Sequence, residues 1–191
     1  MRTAIVALCF AAALLAGCSG DSQVQRLYGS RHRLDVIAHP TKVEAYRDAA
    51  ETPRRVEAIY SSKPQSQPSS APTTGPVLPG GLLVLAGPAG VDNATAAELS
   101  RILHDPNTYM FGLGKGCMFN PDIAVRFAAA DCESVIVVFC FTCDELEIYD
   151  GATRKSVGGG NDDPWRPRLV AIAKRLFPND SYIAELKPQR K

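Results

Sequence analysis

The stretch that most constrains the fold is Ser134–Asp150, which reads Ser-Val-Ile-Val-Val-Phe-Cys-Phe-Thr-Cys-Asp-Glu-Leu-Glu-Ile-Tyr-Asp. It opens with Val135–Phe141, an unbroken run of mostly β-branched and aromatic residues, which is typical of a strand covered on both faces. After Cys143 apolar and polar residues alternate, which indicates a half-exposed strand. We therefore expect a buried strand near the centre of a sheet, followed by a half-exposed strand. The CxxC sequence Cys140–Cys143 separates the two.

A further strand is predicted at residues 123–128, where three large apolar side chains alternate with small or polar ones: Ile123, Val125 and Phe127. Residues 130–133 follow as a turn, so this strand should pair with residues 135–141 in an antiparallel hairpin. The alternation along residues 123–128 fixes which of its side chains face the core in this pair. This hairpin therefore forms the middle of the predicted sheet.

The hairpin divides the cysteines into two groups. It brings Cys117 to the level of the CxxC sequence, whereas Cys132 lies at the tip. Cys132 is eight residues from Cys140, which is about 26 Å of strand. A disulfide needs Cα atoms within about 7 Å of each other. We therefore expect one disulfide among Cys117, Cys140 and Cys143, with Cys132 unpaired.

Shorter patterns predict more strands around this hairpin. Two similar stretches, Lys42–Arg47 and Arg55–Tyr60, alternate apolar and charged residues around turn-forming residues, which favours a second hairpin. Helix is the competing interpretation, because Ala and Glu favour it. Residues 81–86 predict a short buried strand that ends at the turn 87–90. An edge strand is predicted at residues 181–186.

Two helices are predicted to pack on the sheet. The first covers residues 94–104, with Asp92, Asn93 or Thr95 as its cap and a buried stripe of large apolar residues: Leu99, Ile102 and Leu103. The second begins at Pro164, capped by Asp163, and has apolar residues at helical spacing up to Phe177-Pro178. Between the strands, Ser61–Pro76 is rich in Pro and Ser and almost free of apolar side chains, which predicts a disordered insertion.

These elements predict one α+β domain over residues 32–191. It would consist of an antiparallel β-sheet with two packed α-helices and a disordered insertion at residues 61–76. Two glycine-rich segments, residues 112–117 and 158–160, are predicted to be ordinary flexible turns. The first lacks the Walker spacing of a phosphate loop, because Gly116 follows Lys115 where that motif needs a hydroxyl residue.

The N-terminus has the pattern of a secretory leader. A basic start at Met1-Arg2 precedes the apolar segment Ala4–Ala16, which is too short to span a bilayer comfortably. Leu15-Ala-Gly-Cys18 follows at the place of a cleavage site and resembles the bacterial lipobox. The resemblance implies a signal peptide at residues 1–17 and a mature chain that begins at an acylated Cys18. An ordinary signal peptide that happens to contain a cysteine is the alternative.

The lipobox resemblance implies a lipoprotein of the bacterial cell envelope. Its lipid chains, for example palmitate, would hold Cys18 in a membrane, and residues 18–31 would be a polar tether to the domain. Ser19 follows the cysteine, which in the enteric sorting pattern favours the outer membrane, facing the periplasm. Without Arg2 the chain has 20 basic and 20 acidic groups, so its charge does not support nucleic-acid binding.

Three hypotheses account for the cysteines. A structural disulfide from Cys117 to Cys140 or Cys143 suits an oxidising envelope. A metal site could use these three thiolates with Asp144 or His104 as fourth ligand, although a zinc ribbon would show a second CxxC. Thiol redox chemistry could use a CxxC with depressed pKa, but that motif belongs at a helix N-terminus, and here the context is strand.

No other pattern predicts catalysis. Three histidines are present, His32, His39 and His104, without an HExxH sequence or a nucleophile elbow, and each is expected to be a surface or packing residue. Lys115–Pro121 (Lys-Gly-Cys-x-Phe-x-Pro), Cys140–Cys143 and Phe177–Asp180 (Phe-Pro-x-Asp) together resemble uncharacterised bacterial envelope lipoproteins, a resemblance that implies no activity. The sequence thus favours a non-enzymatic structural or binding protein without cofactor. An envelope thiol-redox or metal-binding protein is the alternative.

Overall fold

The chain folds into an antiparallel sheet with helices, in a computed structural model that describes residues 21–49, 77–78, 82–112, 114–131 and 133–189. Its strands are β1 (Lys42–Ala49), β2 (Val77–Leu78), β3 (Leu82–Gly90), β4 (Ile123–Ala128), β5 (Ser134–Cys140), β6 (Glu145–Asp150) and β7 (Ser156–Asn161). Its helices are α1 (residues 21–27), α2 (Arg31–Ala38), α3 (Asn93–His104), α4 (Arg166–Leu176) and α5 (Ser181–Glu185). The predicted α+β class is confirmed, with five helices in the described ranges where two were expected.

The seven strands form one sheet in the order β2-β3-β1-β4-β5-β6-β7, and every neighbouring pair is antiparallel. The predicted β4–β5 hairpin is confirmed, with Ile123 opposite Phe139 and Ala128 opposite Ser134. β5 lies inside the sheet, and all seven of its residues are buried. The apolar run therefore forms a strand covered on both faces, as its composition predicts.

The helices cover one face of the sheet. Val135, Val137 and Phe139 of β5 point to this face and pack in the main core with apolar residues of all five helices. Alternate residues of β5, Ile136 and Val138, point the other way and pack in a smaller cluster on the opposite face. Because successive side chains of β5 point to opposite faces, this one strand contributes to both apolar clusters.

α3 matches its prediction closely, and α4 differs at its start. Asp92 caps α3, since its Oδ1 accepts a hydrogen bond from the Thr95 amide at 2.9 Å. The segment before α4 is a 3-10 turn over Asp163–Trp165, so the α-helix begins at Arg166, and Asp163 does not cap it. A second 3-10 turn, Pro106–Thr108, follows α3.

Two segments predicted as turns are strands. β3 continues through residues 87–90. Gly87 lies at the irregular part of the β1–β3 pairing with φ 117°, a conformation that favours glycine. A Cβ at this position would lie 2.8 Å from the Ala45 carbonyl oxygen. The glycines at 158–160 belong to β7. A Cβ at Gly158 would overlap the Leu27 carbonyl oxygen, so glycine lets α1 approach the sheet.

Two predictions near the chain ends are wrong. The tether expected at residues 18–31 includes α1. Val24 within this helix and Tyr28 directly after it are buried in the core. The edge strand expected at residues 181–186 is instead the helix α5. Asp180 caps this helix by accepting a hydrogen bond from the Ile183 amide, and Ile183 is its buried residue.

Several predictions lie outside the described residues: the leader with Cys18, the second stretch of the hairpin at 55–60, the insertion at 61–76, and Cys132. The first stretch of that hairpin is β1, and both of its edges bond other strands, β3 and β4. No helix within the described ranges is long and apolar enough to cross a membrane.

Candidate functional site at the Cys140–Asp144 turn

The turn between β5 and β6 is held by side chains from three other parts of the chain. Asp122, just before β4, accepts a hydrogen bond from the Phe141 amide at 2.6 Å. Arg166, at the start of α4, donates from Nη1 to the Phe141 carbonyl oxygen and to the Asp144 carboxylate. Asp144 has φ 51°, a left-handed conformation that a short polar residue tolerates. The β5–β6 connection is therefore anchored on both its backbone and its side chains.

Lys115 adds a third anchor from the glycine-rich loop. Its Nζ donates to the carbonyl oxygens of Cys143 and Asp144, at 2.6 and 3.0 Å, and to the Asp163 carboxylate at 2.5 Å. A lysine in a glycine-rich loop can bind phosphate, but here its three donors face oxygens of the protein. This loop therefore supports the turn.

The cysteines predicted to lie together do so. Cys117 and Cys143 are joined by a disulfide, with Cα atoms 5.9 Å apart. This bond connects the loop after α3 to the β5–β6 turn. Cys140, the first cysteine of the CxxC, is buried and has no disulfide partner. The hairpin register accounts for the approach of Cys117, and the turn itself decides which of the two CxxC cysteines it meets.

Cys140 is placed as a hydrogen-bond acceptor. Its Sγ receives the backbone amides of Asn120 and Cys143, each at 3.3 Å. Burial nevertheless raises the pKa of the Cys140 thiol, against the opposing effect of these amides. Since the thiolate is the nucleophile in thiol chemistry, this environment stabilises an unreactive thiol.

Buried carboxylates surround the same turn. Burial raises the pKa of Asp122 despite the amides and Tyr182 hydroxyl that bond it. Asp162 follows β7 and is 3% exposed, and burial together with the charges of Asp144 and Asp163 raises its pKa to about 7, opposed by Lys115. Perturbed carboxyl groups occur in active sites and also in structural ion-pair networks. The burial of Asp122 and Asp162 favours the structural role.

The predicted metal ligands are engaged otherwise. With Cys117 and Cys143 joined, Cys140 alone among the three keeps a thiol. Asp144 pairs with Arg166, and the ring nitrogens of His104 face the carbonyl oxygens of Ser100 and Leu34, at 2.7 and 3.1 Å. In this oxidised form the set does not offer the three thiolates that a site of this kind needs.

The sequence contained weak signals for the rest of the site. Lys115 and Asp163 stand in segments interpreted as a flexible turn and a helix cap, and they meet only because the loop after α3 lies against the end of β7. Arg166 lies in the predicted helix, but its orientation toward Asp144 depends on where α4 begins. His32 also lies beside Asp131 and Glu133, which are about a hundred residues further along the chain. No sequence motif predicts this cluster.

The assembled site can fix a turn and can hold a buried thiol beside a disulfide. The ionisable groups of the turn and of its anchors Lys115, Asp122 and Arg166 are paired or buried, so this turn offers no exposed nucleophile. No known protein family, no curated protein and no solved structure matches this chain.

Proposed function

We propose that the protein is a lipid-anchored component of the bacterial cell envelope, with a non-enzymatic structural or binding role. The observation that carries the proposal is Leu15-Ala-Gly-Cys18 directly after the apolar segment Ala4–Ala16. Acylated Cys18 would place the domain at the outer membrane, facing the periplasm. Several acyl chains would be needed, because one chain binds a bilayer only marginally.

The cysteine arrangement supports this location and role. A Cys117–Cys143 disulfide persists in an oxidising compartment such as the periplasm, and is rare in a reducing cytosol. Lys115, Asp122 and Arg166 bond the backbone around Cys143, so the bridge lies in a turn that is already fixed. This arrangement suits a stabilising cross-link.

An envelope thiol-redox protein that uses Cys140 is the second candidate, and one observation favours it. The Cys143 amide bonds the Cys140 sulfur, which places a thiol beside the disulfide that it could attack. Exchange requires a thiolate, however, and burial raises the pKa of Cys140. The structural role is therefore preferred, and the reactivity of Cys140 in the native protein discriminates between the two.

The anchor is tested by replacing the acylated residue. Cys18→Ser in the full chain should give an unprocessed precursor that incorporates no labelled fatty acid, because the thiol that receives the acyl chain is absent. Cys9→Ser is the matched control, since Cys9 lies within the leader that is removed. Labelling, mass of the N-terminal peptide and detergent partition are measured. Normal cleavage and detergent partition of the Cys18→Ser protein would rule out the lipobox interpretation.

A further inference from the structure

Three potential metal ligands meet at the edge of the main core, away from the cysteines. His32 lies in the first turn of α2, whereas Asp131 and Glu133 flank the tip of the β4–β5 hairpin. One ligand atom from each, an imidazole nitrogen and two carboxylate oxygens, lies within 4.8 Å of the others. All three side chains are exposed, so an ion in solution can reach them.

The backbone on both sides of this cluster is fixed by hydrogen bonds. Ser30 caps α2 by accepting from the Arg33 amide at 3.3 Å, and Arg33 is paired with Asp150 at 3.0 Å. On the hairpin, Asp131 accepts from the Glu133 amide at 3.3 Å. The helix start and the hairpin tip therefore present their ligands from anchored positions.

The local charge favours a cation. The imidazole of His32 contacts the Glu133 carboxylate, Asp131 lies on the same hairpin, and Asp35 is one turn further along α2. Two arginines flank His32 on α2: Arg33 is paired with Asp150, whereas Arg31 is exposed. With Arg33 neutralised, three carboxylates and one arginine remain around His32, so the charge of the cluster is net negative.

The ligand set matches a first-row divalent ion. Zinc binds imidazole nitrogen at about 2.0–2.1 Å and carboxylate oxygen at about 2.0–2.2 Å, so ligands of one ion lie within roughly 4 Å of each other. The three ligand atoms already lie within 4.8 Å of one another, and rotation of the exposed side chains must open the direct His32–Glu133 contact to admit the ion. Mixed nitrogen and oxygen ligands favour zinc over calcium and magnesium, which prefer oxygen alone.

We propose that His32, Asp131 and Glu133 form an open Zn²⁺ site that joins α2 to the β4–β5 hairpin. Three protein ligands leave a coordination position for water or an external donor. That position would face a cleft of about 210 Å³, which is lined by His32 and Glu133 together with Arg33 and Asp150. The site is independent of the lipid anchor and of the cysteine turn.

Calorimetric titration of the untagged full chain with ZnCl₂ tests the site. Every protein in the series carries Cys132→Ser, because the sequence places that thiol between two of the ligands and thiolates bind the same ion. The parent should bind one Zn²⁺. His32→Ala, Asp131→Asn and Glu133→Gln should each weaken binding at least about tenfold, since each removes one of three ligands.

Two exposed residues outside the cluster supply matched controls. His39→Ala and Glu185→Gln should leave Zn²⁺ affinity unchanged within about twofold. A second readout is the melting temperature, which Zn²⁺ should raise for the parent and both controls and not for His32→Ala. Equal affinity in the parent and His32→Ala, or absence of Zn²⁺ binding by the parent, would overturn the proposal.

Discussion

Asp162 illustrates how one buried carboxyl group makes the stability of this fold depend on pH. Its pKa is about 7 in the folded protein, mainly because of burial, compared with about 4 in an unfolded chain. Between these values the folded state holds a proton that the unfolded state has released. The contribution of protonated Asp162 to the free energy of unfolding is therefore fully present below about pH 4, and it is lost as the pH rises toward 7.

Asp162→Asn should remove this dependence. The neutral amide avoids burial of a charge beside Asp144 and Asp163, so the free energy of unfolding at pH 8 should rise, by up to about 4 kcal/mol. Urea unfolding from pH 4 to pH 8 measures it, with the exposed Asp21→Asn as control. An unchanged slope between pH 4 and 7 in Asp162→Asn would contradict the proposed burial of a titrating carboxyl.

At the scale of single elements, local patterns of apolar residues in the sequence predict several strands and a helix. β4 and β6 are predicted by apolar residues at every second position and β5 by an unbroken apolar run. α3 is predicted by an apolar stripe at helical spacing behind a capping residue. These signals are local, since each element carries its own pattern. The α+β class follows from them directly.

Elements that depend on distant partners were missed. β7 contains three consecutive glycines and shows no alternation of apolar and polar residues. Gly158 is required because the backbone of Leu27 in α1, far away in sequence, leaves no space for a Cβ. α1 is mostly polar, so the pattern of residues 18–31 does not reveal that Val24 within α1 and Tyr28 directly after it are buried. Both errors concern one contact, the packing of α1 on β7.

Substitution of Gly158 tests that contact. Gly158→Ala places a Cβ against the Leu27 carbonyl oxygen, so α1 must shift, and the free energy of unfolding should fall by about 1–3 kcal/mol. Gly116→Ala is the matched control, because no heavy atom lies within 4 Å of the added Cβ, and its effect should stay within about 0.5 kcal/mol. Equal effects of the two substitutions would mean that α1 does not pack on β7.

At the scale of the whole molecule, the sequence predicted that three cysteines converge but left their pairing open. The β4–β5 register brings Cys117 to the turn, and this step needed only strand alternation. The choice of Cys143 over Cys140 depends on the turn conformation, which Lys115, Asp122 and Arg166 fix from separate elements. Contacts between such elements have no signature in a single sequence.

Loss of the Cys117–Cys143 bridge should destabilise the domain. The bridge closes a separation of 26 residues, which restricts the unfolded chain by about 3–4 kcal/mol in the entropic description. Cys117→Ser should therefore lower the free energy of unfolding by about that amount under oxidising conditions, and Cys132→Ser by much less. Urea unfolding with and without a reductant measures both. Equal losses in the two variants would argue against a stabilising bridge at Cys117.

The most direct test of a structural cysteine turn is a non-reducing peptide map of protein whose thiols are alkylated in the native envelope fraction. Trypsin with chymotrypsin separates the two CxxC cysteines by cleavage after Phe141. The structure predicts Cys117 linked to Cys143, with Cys140 alkylated only after unfolding because it is buried. A Cys140–Cys143 bridge, or rapid alkylation of Cys140 in the native protein, would contradict the structural role and favour thiol exchange.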